Sequence, residues 1–178
     1  PIVLQGDRGL SQKSASPGNA SYYYSMTRLA TRGSVRVQGV SFPVEGNSWL
    51  DREWGTSSLE KGQTGWDWFA LQLSDGRDLM FYRLRRGDGT TDPFSAGTLV
   101  FADGTVLPLS HDDVRIETLG SWRSPESGAR YPSRWRVLLP SEGLELEVVP
   151  RSADQELRAA VRYWEGAVSV RGTSGGEP

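Results

Sequence analysis

The sequence predicts an all-β, antiparallel fold, and three observations predict it. Twenty-one glycines and ten prolines cut the chain into short runs. Within those runs apolar and polar residues alternate with a period of two, the pattern of half-buried strands. Asp-Gly pairs stand between successive runs at Asp75-Gly76 and Asp103-Gly104, where a tight hairpin needs a residue that accepts positive φ. Helix-forming residues gather only in "ADQELRAA" (153–160), with Asp154 as a cap for a turn or two.

Taken in order, "GDRGLSQKSASPGNAS" (6–21) reads as a long surface loop. Tyr22 to Leu29 and Ser34 to Gln38 flank "ATRG", which reads as a hairpin turn. "WDWFALQL" passes through "SDGR" into "DLMFYRLR", and "GTLVFA" joins "TVLPL" across Asp103-Gly104. "DVRIETL", "SRWRVLLP", "LELEVVP" and "YWEGAVSVRG" follow, with Pro108, Pro140 and Pro150 at strand ends or edges, where a missing N–H is tolerated. Such a meander curls into a barrel or a sandwich, and a barrel mouth suits an apolar ligand.

Composition narrows the function. A hydrophobic fraction of 37% and a charged fraction of 24% belong to a folded chain. A net charge of −2 gives no global attraction to nucleic acid, so no such partner is expected. The absence of cysteine excludes disulfides, thiol nucleophiles and cysteine metal sites. The single histidine, His111, lies in the polar turn "LSHDDV"; no nucleophile elbow accompanies it, and it reads as a surface residue. "GDGTTD" and "GTSGGEP" are glycine-rich but lack a strand-to-helix phosphate pattern. The expectation is no metal and no cofactor. No run approaches the roughly twenty apolar residues of a membrane span. "PIVLQGDRGL" has no basic leader or cleavage site and reads as a chain beginning mid-protein.

The chemistry concentrates in "SWLDREWGTSSLEKGQTGWDWFAL" (48–71), which holds Trp49, Trp54, Trp66 and Trp68 together with Asp51, Glu53, Glu60 and Asp67. A core wants the rings and a loop wants the acids; a pocket lined by both accounts for the mixture. On a strand, Trp49 and Asp51 share a face. The ring would strip water from the carboxylate and raise its pKa, as a general acid requires. The alternative is an ion pair of Asp51 with Arg52, Arg28 or Arg8, and the residues alone leave both open. Trp66 and Trp68 face one way and Asp67 the other, so Asp67 is a partly buried acid in need of a partner. Tyr22 and Tyr24 share a face opposite Tyr23, where phenols lining a cavity offer apolar walls with a hydroxyl handle. "SSLEKGQTG" (57–65) has linker composition.

"LQGDRGLSQKS", "YYYSMTRLATRG", "WLDREWGTS", "GWDWFALQLSDGRDLMFYRLR", "YPSRWRV" and "DQEL…YWEGAV" together resemble the AttH-like family, relatives of carotenoid 1,2-hydratase (hydroxyneurosporene synthase), in order along nearly the whole chain. The resemblance implies a lipocalin-like antiparallel β-barrel. Residues 1–62 would be the closing part of a preceding lipocalin-like domain, and 63–178 the second, C-terminal domain without its last strand. The missing N-terminal part of the same protein is then an expected partner. The resemblance further implies a hydrophobic ligand, a lipid or an isoprenoid, held by Tyr22, Tyr24, Trp49, Trp54, Trp66, Asp67 and Trp68. It also implies a periplasmic or cell-envelope location with association at a membrane surface. The alternative it offers is a cofactor-independent hydro-lyase in which Asp51, in an aromatic-x-Asp motif, protonates an isolated C=C bond. The chain departs from the hydratases at Tyr22 and Tyr24, where those have His and Trp.

Overall fold

The computed structural model describes residues 2–55, 59–159 and 161–175, and Ser57 and Ser58 of the linker-like run lie outside them. Strands are antiparallel throughout. The helical element among the described residues is one 3₁₀ turn, Pro140–Glu142. The chain divides into two compact units, Pro1–His111 and Asp112–Pro178.

In the first unit, β1 (Val3–Leu4) and β2 (Leu10–Gln12) line up along one edge of β3 (Ala20–Val37), and β4 (Val40–Gly55) pairs along the other. The change of sheet falls between Gly55 and Gln63. From there β5 (Gln63–Gln72), β6 (Asp78–Arg86), β7 (Ala96–Val100) and β8 (Val106–Ser110) form an open meander. Leu79, Met80 and Phe81 are at most 1% exposed in succession, so β6 is covered on both faces, as its unbroken apolar run requires. Pro108 sits on β8 at the sheet edge.

Three hairpin loops repeat one design. Gly76, Gly89 and Gly104 donate to the carbonyls of Leu73, Arg86 and Phe101 and take φ of 90°, 86° and 87°. Each is a type I turn closed by a left-handed glycine. The preceding Asp75, Asp88 and Asp103 accept the backbone N–H two residues on, at 2.8–3.0 Å. That bond is the local reason for Asp before Gly.

Two expectations are corrected here. The turn predicted at "ATRG" is strand: β3 runs through it unbroken, and Gly33 pairs with Val44. The reversal comes instead at Gln38 and Gly39, both at positive φ (48° and 84°), a two-residue type I′ turn. A glycine signalled a break, but nothing lies within 4 Å of where a Gly33 Cβ would be, so the ribbon tolerates it. The predicted loop over 6–21 is also more structured than solvent would make it. It contains β2, and Ser11 and Ser14 are 2% and 3% exposed.

Registers place Leu10, Tyr22 and Trp54, then Leu4 and Tyr24, then Leu50, Val44, Val35 with Phe42, and Val37 with Val40 on one face of the first sheet. Apart from Tyr24, which is half-buried, these side chains are 38–58% exposed. The opposite face, carrying Tyr23, Ser25 and Thr27 at 0–2% exposure, is the buried one.

The second unit holds β9 (Arg115–Thr118), β12 (Trp135–Leu139), β13 (Leu144–Pro150) and β16 (Val168–Ser174) in the order β16-β13-β12-β9. Two hairpins accompany them, β10 (Ser121–Arg123) with β11 (Arg130–Pro132), and β14 (Glu156–Arg158) with β15 (Arg162–Trp164). Trp135, Val137, Leu139, Leu144, Leu146 and Val148 are buried. The alternate residues Glu117, Arg136, Glu147 and Arg171 form a cross-strand row of alternating charge. The helical turn expected in "ADQELRAA" is β14 instead, with Ala160 outside the described residues. Glu156 there accepts hydroxyls from Ser124 (2.8 Å), Ser127 (2.5 Å) and Tyr131 (2.7 Å), and these tertiary bonds outweigh the helix propensity of so short a run.

Candidate active site

β3 and β4 pair Ser25 with Asp51 and Tyr23 with Glu53, so these four side chains project from one face. The face is the buried one: Tyr23 packs with Met80, Tyr82 and Leu84 of β6, and Trp49, Phe94 and Ala96 close around them.

Asp51 is the sink of a directed network. Ser25 Oγ donates to Oδ1 at 2.5 Å, Tyr23 OH donates to Oδ1 at 3.0 Å, and Trp49 Nε1 donates to Oδ2 at 2.7 Å. Gln5 Nε2 donates to Ser25 Oγ (3.0 Å), and Thr98 Oγ1 donates to Gln5 Oε1 (2.6 Å). Trp68 Nε1 donates to Tyr23 OH at 3.1 Å. The donors to Asp51 are neutral groups. The three arginines that the sequence offered it are engaged elsewhere. Arg28 binds Asp78 at 2.9 Å and the Leu73 carbonyl at 2.7 Å. Arg8 meets Asp7 at 3.3 Å, and Arg52 lies 5.9 Å from the Trp54 ring centroid.

Two effects compete at this carboxyl. Each hydrogen bond to a charged group is worth about 1.5–3 kcal/mol, while desolvating the ion costs several kcal/mol. Burial wins: it raises the Asp51 pKa above the ordinary 3.8, against the hydrogen bonds from Ser25, Tyr23 and Trp49, with the nearby Glu53 charge adding to the rise. Burial, then the Asp51 charge, raises Tyr23 as well. Tyr23 therefore stays a phenol that accepts from Trp68 and donates to Asp51. Ser25 can turn its hydroxyl to receive a proton-bearing Asp51, so the network accommodates either state of the acid.

Around this lies a second polar group. Lys13 Nζ is 2.9 Å from Glu53 Oε1 and 3.7 Å above the Tyr82 ring. Ser21 donates to the same Glu53 oxygen. Tyr82 OH meets Ser11 Oγ at 3.0 Å.

The structure thus brings Trp49 to Asp51 directly and Trp68 to it through Tyr23. Trp66 lies on the Trp68 face of β5, opposite Leu84 in register, and is 45% exposed. Asp67 faces the other way, buried, with Arg83 at 2.5 Å and Arg85 at 3.8 Å. Tyr22, Tyr24 and Trp54 form a separate aromatic group on the exposed face, with Tyr22 and Trp54 stacked at 5.8 Å and Tyr24 edge-on at 6.2 Å. Sequence reasoning did not find Gln5, Lys13, Tyr23, Ser25, Tyr82 or Thr98 as site residues. The parity of Tyr23 and Ser25 was readable; their register against Asp51 was not. Among the described residues no cluster of three or more His, Asp or Glu is placed to hold a metal.

Comparison with known proteins agrees with the resemblance. A kievitone hydratase from Fusarium solani subsp. phaseoli is 25% identical over 163 residues, which cover 86% of this chain and 45% of that protein. The crystal structure of an AttH from Nitrosomonas europaea superposes with a TM-score of 0.87 at 37% identity, over 100% of this chain and 55% of that one. The structure of kievitone hydratase from Nectria haematococca shares the fold, with a TM-score of 0.77 at 19% identity, over 99% of this chain and 54% of that one. The chain spans about half the length of these proteins. The AttH-like family model matches residues 1–178, and the chain belongs to the AttH-like family.

Proposed function

We propose that this protein is a hydratase-type enzyme that binds a hydrophobic, isoprenoid-type substrate and adds water across an isolated C=C bond, with Asp51 as the proton donor. The observation that carries the reading is the environment of Asp51. Neutral donors surround it, burial raises its pKa, and the indole of Trp49 is hydrogen-bonded to it. An acid held this way is protonated closer to neutrality than an ordinary aspartate, which is the condition for donating a proton. Kinship with a kievitone hydratase supports water addition as the reaction class. Trp49 and Trp68 would face the cation that protonation leaves, since aromatic faces attract positive charge.

The proton goes from the Asp51 carboxyl to one alkene carbon, and the π electrons form the new C–H bond. Water adds to the tertiary cation and releases a proton, so alkene and water become an alcohol. Location in the cell envelope belongs to the same proposal, since a substrate of this kind partitions into membranes.

The test uses geranylgeraniol in detergent and ¹⁸O-labelled water. Mass spectrometry should detect an alcohol heavier than the substrate by one labelled water. Asp51→Asn should lower the rate by about 10²–10⁴-fold with little change in binding. Tight binding without a heavier product would instead establish a carrier of lipids or isoprenoids, in which Asp51 is structural.

A further inference from the structure

Glu53 stands two residues along β4 from Asp51 and shares its face. Two strand residues span roughly 7 Å. The two carboxyls differ in their company. Asp51 has neutral donors, whereas Glu53 is bound to the Lys13 ammonium at 2.9 Å and to the Ser21 hydroxyl.

Lys13 is itself held in place. Its side chain is 14% exposed, and its Nζ lies 3.7 Å over the Tyr82 ring and 5.6 Å from the Tyr23 ring centroid. Its backbone N–H donates to the Asn19 carbonyl at 2.9 Å, and its carbonyl accepts Gln63 Nε2 at 2.9 Å. A lysine in a solvated ion pair keeps its rotamer freedom and adds little. Here that freedom is given up to place one ammonium against one carboxylate beside Asp51.

We propose that Glu53 is the base that receives the proton of the attacking water, with Lys13 as the positioning residue that holds the carboxylate in place. The inference rests on the hydratase reading of Asp51. In the reaction Asp51 gives up its proton to the alkene carbon, and a lone pair of water forms the C–O bond to the resulting tertiary cation. One O–H proton of that oxonium then passes to the Glu53 carboxylate. Glu53 leaves the cycle carrying the proton that Asp51 lost, and exchange with solvent through its 40% exposed side chain restores both. The base need not be strong, because an alkyl oxonium is far more acidic than a carboxylic acid. What matters is that it is charged and near. The titratable groups facing this pair are Tyr23 from β3, Tyr82 from β6 and Lys13 from the segment after β2.

The experiment compares the unsubstituted protein with Glu53→Gln, Glu53→Ala and Lys13→Met, using geranylgeraniol in ¹⁸O-labelled water, with folding checked by circular dichroism. Glu53→Gln should slow alcohol formation by about 10²-fold or more. Glu53→Ala should recover rate in proportion to added sodium formate, which a purely structural glutamate would not permit. Lys13→Met should lower kcat by about 10-fold while KM changes little, the signature of a carboxylate left in place but misaimed. Turnover in Glu53→Gln within threefold of the unsubstituted protein would overturn the assignment. So would a folded Glu53→Ala that formate leaves inactive. If the unsubstituted protein binds the probe and makes no alcohol, the hydratase reading fails and takes this one with it; if it turns over while Glu53→Gln does so equally, only the base is refuted. Should Glu53→Ala not fold, the near-isosteric Glu53→Gln carries the decision.

Discussion

Tyr23 shows how much one hydroxyl can hold in a buried network. Its oxygen accepts the Trp68 indole N–H and its proton goes to Asp51. Tyr23→Phe should leave the indole without that acceptor and Asp51 with one donor fewer, costing about 1–3 kcal/mol in urea unfolding. The same change should move the Asp51 titration upward, since this hydrogen bond lowers it; ¹³C NMR of labelled aspartate carboxyls reads this directly. Asp51 also sets a pH dependence with a definite sign. Its folded pKa is raised above the ordinary 3.8, so the folded state holds the proton more tightly than the unfolded chain. Stability from this group is fully present below the ordinary value and is lost as pH rises through the folded one. Asp51→Asn does not ionise, and its urea midpoint should fall less than that of the unsubstituted protein over that window. An equal fall in both would show that Asp51 is not the group responsible.

At the scale of the element, glycine has different jobs in strands and turns. A Cβ on Gly97 would lie 2.2 Å from the Met80 carbonyl oxygen and 2.7 Å from a Phe81 ring carbon, so β7 would be pushed off β6. Gly97→Ala should cost about 3 kcal/mol. At Gly104 nothing lies within 4 Å and only φ of +87° opposes a side chain, so Gly104→Ala should cost about 1–2 kcal/mol. Equal losses in thermal unfolding would contradict this division. The β3–β4 hairpin raises a separate matter, because its apolar face carries Val35, Val37, Val40, Phe42 and Val44 at 38–56% exposure. An apolar face of this extent is the kind that partners or aggregation cover. Val37→Ser with Phe42→Ser should change stability by less than about 1 kcal/mol while lowering fluorescence of bound ANS.

At the scale of the whole molecule, each unit contains a carboxylate that gathers hydroxyls from a serine-rich loop. Hydrogen bonds led by Ser16 and Ser14 lower Glu60 to about 2. Those led by Ser127, with Tyr131 and Ser124, lower Glu156 to about 2. Both values are depressed, so the stability they add is present above the unfolded value of about 4.5 and is lost as pH falls toward about 2. Acid unfolding should therefore steepen across this window. Glu60→Gln should flatten the response of the first unit and Glu156→Gln that of the second, each followed by amide hydrogen exchange. A response unchanged in both variants would assign the acid transition to other carboxylates.

The sequence by itself determined the fold class, the antiparallel hairpins at Asp75-Gly76 and Asp103-Gly104, and the pairing of Trp49 with Asp51. Each of these rests on local physics: alternation, a positive-φ glycine, or two residues of equal parity on one strand. Tertiary structure alone decided the rest. It set the register that brings Ser25 and Tyr23 to Asp51, turned Tyr22, Tyr24 and Trp54 to the other face, and kept β3 unbroken through Gly33. It also brought Gln5 and Thr98 together across 93 residues and drew Glu156 into a strand. Strand registers and hydrogen bonds between distant residues depend on which surfaces meet, and alternation within one strand carries no information about its neighbour's register.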